Sequence, residues 1–167
     1  MDRLLRINGV VEESIVDGFG IRFVIFSQGC HFGCPHCHNP GTQEINGGYD
    51  VDIKDLYHQI TENPLLKGVT FSGGEPFLQP KPLVNLAKML KKNGLDITTY
   101  TGYTYDALIQ EADPDRIRLL KITNILIDGP FIYEKRNLSL LFRGSDNQRI
   151  LFLEDGGAGE LAQVVGA

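Results

Sequence analysis

The chain has 167 residues, of which 42% are hydrophobic and 22% charged, and these values are typical of a single globular domain. No apolar run approaches the length of a membrane-spanning helix, so we expect no membrane partner. The formal net charge of −5 argues against a general nucleic-acid-binding protein. Free thiols without an apolar export signal predict a reducing, cytoplasmic location.

Strand and helix patterns alternate along the chain. A β-branched and aromatic run at 21–26 predicts the first strand, which leads directly into a loop that holds every cysteine. The later predicted elements are, in chain order, a helix at 53–62, a strand at 68–71, a helix at 82–93, a strand at 96–100, a short helix at 105–111, and strands at 122–127 and 149–153.

This alternation predicts an α/β fold with a mainly parallel sheet and crossover helices. The elements are too few for a closed eight-fold barrel, so we expect a partial, open βα barrel. One domain is predicted over 1–153, followed by a mobile or weakly docked tail at 154–167. Ligands of such folds gather at the C-terminal ends of the strands, where this chain carries the cysteine loop, SGGEP at 72–76, TGY at 101–103 and DGP at 128–130.

The three cysteines, Cys30, Cys34 and Cys37, form a C-x3-C-x2-C motif, and the sequence contains no other cysteine. An odd number of closely spaced thiols suits a metal centre better than disulfide bonds. The candidates are a zinc site completed by a nearby histidine, haem attachment through C-x-x-C-H, a C-x-x-C redox pair, and a 4Fe-4S cluster with one open iron. Spacing alone favours the cluster and leaves the other three open.

Two further motifs give the chain a family resemblance. Residues 73–76 read G-G-E-P after the strand that follows the cysteine loop, and residues 17–22 read D-G-F-G-I-R before the loop's own strand. Together with C-x3-C-x2-C, the first motif resembles the radical S-adenosylmethionine (SAM) superfamily. The second resembles its glycyl-radical activating enzymes, whose usual form is D-G-P-G-x-R, so that Phe19 departs from the pattern.

Downstream segments resemble those family members that activate anaerobic ribonucleoside-triphosphate reductase. The segments are C-H-N-P at 37–40, T-G-Y at 101–103, I-D-G-P-F at 127–131, F-R-G-S at 142–145 and N-Q-R at 147–149. The likeness runs from about residue 7 to 153 and implies that this reductase is the protein partner, with an electron donor such as flavodoxin. The alternatives are an activator of another glycyl-radical enzyme, such as pyruvate formate-lyase, or a non-catalytic zinc or iron–sulfur module.

The resemblance implies a role for each motif. Cys30, Cys34 and Cys37 would each hold one iron of a 4Fe-4S cluster, and SAM would chelate the fourth iron. Reductive cleavage of SAM would then give a 5′-deoxyadenosyl radical, which takes a hydrogen atom from a glycine of the partner. Gly73 and Gly74 would let the main chain approach the methionine part of SAM.

Other residues are implied less directly, each with a structural alternative. Glu75 would add a charge at the SAM site or hold its loop, and Asp128 would contact the ribose or a cation, or cap Gly129. The histidines beside the last cysteine, His36 and His38, are further cofactor-binding candidates. The candidates for the partner peptide, with an internal ion pair or a solvated surface as the alternative, are Asp17, Arg22, Arg143 and Asn147.

Overall fold

The computed structural model describes residues 2–153 and 161–165, the latter by their backbone alone. Its strands are β1 Leu4–Ser14, β2 Arg22–Ser27, β3 Tyr49–Asp52, β4 Gly68–Gly73, β5 Asp96–Tyr100, β6 Ile125–Asp128, β7 Arg149–Leu153 and β8 Leu161–Val165. Its helices are α1 Ile53–Thr61, α2 Pro80–Lys92, α3 Tyr105–Glu111 and α4 Pro114–Ile122. None of these four helices, within the described residues, is long and apolar enough to cross a bilayer.

The strands form one open sheet in the order β3-β1-β2-β4-β5-β6-β7-β8. Strands β2, β4, β5 and β6 pair in parallel at its centre. The outer pairings, of β1 with β2 and β3 and of β7 with β6 and β8, are antiparallel. The prediction of an open α/β barrel with a parallel centre is therefore confirmed, and antiparallel flanks are added to it.

The pleat of the central strands separates the core from the site. Phe23 and Ile25 of β2 and Phe71 of β4 belong to the hydrophobic core, which also contains the buried faces of the helices. The next residues along, Phe26 and Ser72, line a cavity instead. Because successive side chains of a strand point to opposite faces, the helices cover one face of the sheet and the cavity lies on the other.

Local chemistry explains where the helices begin. Asp52 caps α1 by accepting a hydrogen bond from the Lys54 amide, and Thr104 caps α3 through the Ala107 amide. Helix α2 begins at Pro80, whose fixed φ and missing N–H suit a first turn.

Four elements, β1, β3, α4 and β8, were not predicted from the sequence. Strand β1 precedes the predicted first strand, so the cysteine loop follows the second strand of the chain. Helix α4 ends at Ile122, and the strand predicted from that residue begins at Ile125. Part of the predicted tail, Leu161–Val165, pairs with β7 as strand β8, while 154–160 and 166–167 lie outside the described residues. The single domain over 1–153 and the mobility of the tail stay predictions.

Candidate active site

A cavity of about 600 Å³ opens at the C-terminal ends of the parallel strands. That volume is in the range of small-molecule and cofactor sites. It lies among the loops that follow β2, β4, β5 and β6, together with the segment at 140–144. Of the residues singled out in the sequence, it brings together Cys30, Cys34, Cys37, His38, Gly73, Gly74, Glu75, Asp17 and Arg143.

The cysteine loop is closed at its base by main-chain hydrogen bonds. The Gly29 amide donates to the Thr42 carbonyl oxygen at 2.6 Å, and the Cys30 amide donates to the Gln43 oxygen at 3.1 Å. Gly29 has φ of +104°, a left-handed conformation in which a β-carbon is strained, so glycine is needed at this bend. The chain therefore turns sharply after β2, and residues 42–43 return to lie beside residues 29–30.

The three thiols are free, partly buried and directed to one cavity. Burial raises the pKa of Cys30, with the nearby Glu75 carboxylate adding to the effect, so metal binding would have to displace its proton. The Asn39 amide lies 3.4 Å from Cys37 Sγ and donates a hydrogen bond to it. Such bonds to ligand sulfurs are one means by which a protein adjusts the potential of an iron–sulfur centre.

The cysteines can be compared with the ligands of a single metal ion and with those of a cluster. A single zinc ion needs ligands that converge on one point. Each thiolate of a 4Fe-4S cluster binds a different iron, so three thiols spread around one cavity fit the cluster.

Two aromatic contacts hold the sides of the loop. Phe32 packs edge to face on Tyr103, with ring centroids 4.9 Å apart, and the Tyr103 hydroxyl lies 3.1 Å from His31 Nε2. On the other side His36 stacks on Tyr133, with centroids 4.0 Å apart.

The two candidate histidines differ in position. His36 is exposed, has φ of +57° and does not line the described cavity. His38 does line it and packs against Phe131, with ring centroids 4.6 Å apart. Of the two cofactor-binding candidates, only His38 is therefore placed to touch a ligand.

The glycine pair after β4 packs against the cysteine loop itself. A β-carbon at Gly74 would lie 2.2 Å from the Gly29 carbonyl oxygen and 2.8 Å from that of Thr42. Gly73 has φ of +96°, and a β-carbon there would lie 2.5 Å from the Ser27 nitrogen. The immediate reason for both glycines is thus the close contact of two backbones, a role that sequence reasoning missed when it assigned them only to SAM.

Glu75 joins three loops from a buried position. Its carboxylate accepts hydrogen bonds from the Phe77 amide, the Thr101 hydroxyl and the Gly102 amide, at 3.0, 2.9 and 2.7 Å. The Glu75 amide donates to the Gly29 carbonyl oxygen at 2.8 Å. Burial raises the pKa of the carboxyl to about 7 despite these donors. The geometry matches the loop-holding alternative.

Besides His36, three predicted site residues do not line the described cavity. Arg22 is buried, where its Nη2 pairs with Asp96 Oδ1 at 2.6 Å and its Nη1 donates to the Phe19 carbonyl oxygen at 2.9 Å. Arg22 therefore forms the internal ion pair that was its structural alternative, and its contact with the partner peptide stays a prediction.

Asp128 and Asn147 are also occupied internally. The Asp128 carboxylate accepts from the Tyr105 amide at 2.7 Å and from Arg149 Nη2 at 2.5 Å, at the start of α3. Asn147 Nδ2 donates to the Pro130 carbonyl oxygen at 2.7 Å, and Asn147 is absent from the wall of the described cavity. These contacts join residues far apart in sequence, and the ligand roles of both residues stay predictions.

Several wall residues had no functional role assigned to them from the sequence. Tyr100 donates its hydroxyl to the Phe142 carbonyl oxygen at 2.7 Å, and burial raises its pKa, which keeps the hydroxyl protonated. Gln148 Oε1 accepts from the Gly144 amide at 2.8 Å, and its Nε2 donates to the Gly129 oxygen at 3.0 Å. Gln148 lies in a motif noticed in the sequence and Tyr100 ends a predicted strand, but the contacts of both side chains were missed.

Comparisons with known proteins agree on the type of centre. A family model described as "4Fe-4S single cluster domain" matches residues 16–151. The anaerobic ribonucleoside-triphosphate reductase-activating protein of Escherichia coli (strain K12) is 32% identical over 146 residues, which cover 80% of this chain and 90% of that protein. The pyruvate formate-lyase-activating enzyme of Clostridium pasteurianum is 35% identical over 133 residues, covering 74% of this chain.

The lengths of these relatives differ. The chain spans about half of the pyruvate formate-lyase-activating enzyme, with 55% of that relative covered. Among solved structures, QueE from Escherichia coli superposes with a TM-score of 0.48 at 24% identity, over 60% of this chain and 53% of that one.

Proposed function

This chain belongs to the 4Fe-4S single cluster domain family and, within it, to the radical SAM glycyl-radical activating enzymes, and from that premise we propose that it generates a glycyl radical on anaerobic ribonucleoside-triphosphate reductase. The cofactors are a 4Fe-4S cluster and SAM. The proposal includes flavodoxin as the one-electron donor and a cytoplasmic setting.

One observation carries the proposal: the three thiols and the glycine turn line the same cavity. The cysteines supply three ligands, and the cavity extends past them along the turn at 73–75. A cofactor held by the cysteines and by the turn at 73–75 would therefore fit inside one continuous space.

The residues of this chain would hold the cofactors and position them. When bound, the cluster and SAM supply an organic radical that removes a hydrogen atom from a glycine α-carbon. Cys30, Cys34 and Cys37 hold the irons, while the backbone at Gly73 offers polar main-chain groups to the methionine part of SAM. The buried Glu75 fixes that turn against the loop after β5, so the cofactor binds to a surface already in place.

The choice of reductase over pyruvate formate-lyase is supported by length. The match covers 90% of the reductase-activating relative and 55% of the lyase-activating one. Asp17 and Arg143, which line the cavity, remain the candidates for contacts with the partner's peptide.

Electron paramagnetic resonance tests the proposal directly. Anaerobically purified protein with about four irons per chain is mixed with the reductase, SAM and a reductant. We expect a glycyl doublet that requires all four components. A doublet with pyruvate formate-lyase and none with the reductase would transfer the assignment to the second enzyme, and colourless protein with stoichiometric zinc after reconstitution would refute the enzyme altogether.

A further inference from the structure

Thr42 connects the two ends of the cysteine loop. It is buried and ends the short 3-10 turn Pro40–Thr42, which follows the last cysteine. Its carbonyl oxygen accepts the Gly29 amide at 2.6 Å, where the loop begins. Its hydroxyl and its amide both donate to the Asn39 carbonyl oxygen, at 2.6 and 3.0 Å, where the loop ends. Every polar group of Thr42 is thus bonded to one end of the loop or the other.

Asn39, the residue that Thr42 holds, directs its amide at a candidate cluster ligand. The Asn39 amide donates to Cys37 Sγ at 3.4 Å, while the carbonyl oxygen of the same residue accepts twice from Thr42. Asn39 has φ of −126° and ψ of 62°, which is neither helical nor extended. No regular element therefore orients its N–H, and the contacts with Thr42 supply that restraint.

The turn that contains Thr42 is itself fixed from behind by Gln28. This side chain is buried, and its Nε2 donates to the carbonyl oxygens of Gly41 and Glu44 at 3.1 and 2.7 Å. Its Oε1 accepts from Asn8 Nδ2 at 3.2 Å. A buried amide whose donors and acceptor are all in use holds its neighbours in one arrangement. Thr42 therefore acts on Asn39 from a rigid support.

We propose that Thr42 is a positioning residue that raises the reduction potential of the cluster by holding the Asn39 amide on Cys37 Sγ. The inference rests on the proposed function, since it requires Cys37 to be a cluster ligand. Reduction adds one electron from the donor and makes the ligand sulfurs more negative. An N–H group directed at one sulfur then stabilises the reduced form more than the oxidised form. Reductive cleavage of SAM needs that electron, so this hydrogen bond eases the step that the donor must drive.

A redox titration followed by electron paramagnetic resonance tests the Thr42 hydroxyl. Thr42→Ala removes the hydroxyl, whereas Thr42→Ser keeps it and loses only the methyl group. In Thr42→Ala we expect the ratio of reduced to oxidised cluster at a fixed potential to fall roughly fivefold. This ratio corresponds to a midpoint potential about 40 mV lower, at 59 mV per tenfold for one electron. Thr42→Val also lacks the hydroxyl and should lower the potential too, while Thr42→Ser should retain the potential of the unmodified protein.

Thr99→Ala is the matched control. The Thr99 hydroxyl is also buried and hydrogen-bonded, 2.9 Å from that of Thr123, but Thr99 is absent from the described cavity wall. Its loss should leave the midpoint potential unchanged.

Four results would overturn the inference and leave the proposed function intact. They are an unchanged potential in Thr42→Ala and Thr42→Val, an equal fall in Thr42→Ser, an equal fall in Thr99→Ala, and loss of iron from the Thr42 variants. The last result would mean that Thr42 secures the loop rather than adjusts the potential. Unmodified protein that takes up zinc in place of the cluster would refute the proposed function and the inference together.

Discussion

Gly74 has no room for even a methyl group, because the carbonyl oxygens of Gly29 and Thr42 already occupy that space. A side chain there would push the base of the cysteine loop away from the turn after β4. The substitution would therefore disturb the cluster ligands first and SAM binding second. The sequence alone had assigned Gly74 to SAM binding.

We therefore predict that Gly74→Ala lowers both iron content and SAM cleavage. The metal-free variant should also lose roughly 1–3 kcal/mol of unfolding free energy, the usual cost of overpacking. Iron analysis and urea unfolding measure the two effects. Gly9→Ala is the control, since a β-carbon there meets nothing within 4 Å. Normal iron content with weakened SAM binding would instead support the sequence-based interpretation, in which Gly74 lets the main chain approach SAM.

Replacing any one of Cys30, Cys34 or Cys37 with Ala should abolish SAM cleavage in the presence of a strong reductant. Each thiolate would hold a separate iron, so no remaining cysteine can substitute for the lost one. The measurements are methionine release and iron per chain under anaerobic conditions. A variant that retains full activity would refute the ligand assignment of its cysteine.

The buried Glu75 predicts a pH dependence of stability. Its pKa is raised to about 7 in the folded protein from an ordinary value of 4.5, so the native state binds the proton more tightly than the unfolded state. The contribution of Glu75 to stability should be greatest below about pH 4.5 and decline through pH 7, by on the order of 3 kcal/mol.

Urea unfolding at several pH values measures this slope. Glu75→Gln, which cannot ionise, should lack the part of the decline that is due to the carboxyl. Parallel pH profiles for the two proteins would mean that the pKa of Glu75 is the same in the native and the unfolded states.

Individual elements differed in how far local sequence specified them. Strand β5 and helix α3 have the predicted bounds, because each has a clear pattern and a distinct boundary, such as the Thr104 cap. Strand β1 was missed because Asn8-Gly9 resembles a turn, whereas the structure absorbs it as a register irregularity in a continuous strand. Helix α4 was missed although Asp113 caps it and Pro114 begins it, and only Thr123 and Asn124 separate its apolar end from β6.

The turn after β5 supports the cysteine loop, and this support can be tested. Tyr103→Ala removes the ring that packs on Phe32 and approaches His31, so we expect a chelator to remove iron roughly tenfold faster. Tyr103→Phe is the matched control, since it keeps the ring and deletes only the hydroxyl. Loss of visible absorbance after chelator addition measures the rate. Equal rates for Tyr103→Ala and the unmodified protein would show that the contact does not secure the loop.

At the scale of the whole molecule, the sequence predicted the parallel centre of the sheet and the edge of the sheet at which the candidate site lies. Parallel strands place their following loops at one edge, so the cysteine loop and the glycine turn had to be neighbours. Membership of the activating-enzyme family, inferred from these motifs, is confirmed. Arg22, Asp128 and Asn147 could not be assigned from sequence, because their partners become neighbours only when distant strands and loops pack together.

The contact between Gly74 and the base of the cysteine loop also sets a condition for transplanting this chemistry into another scaffold. The cysteine loop alone would not be a portable unit, because its base is hydrogen-bonded to Thr42 and Gln43 and packs against the turn after β4. A graft would have to include the cysteine loop, residues 42–43 and the turn after β4 with their relative positions preserved. A host barrel with a side chain at the position of Gly74 would clash with the base of the loop, even if all three cysteines were copied.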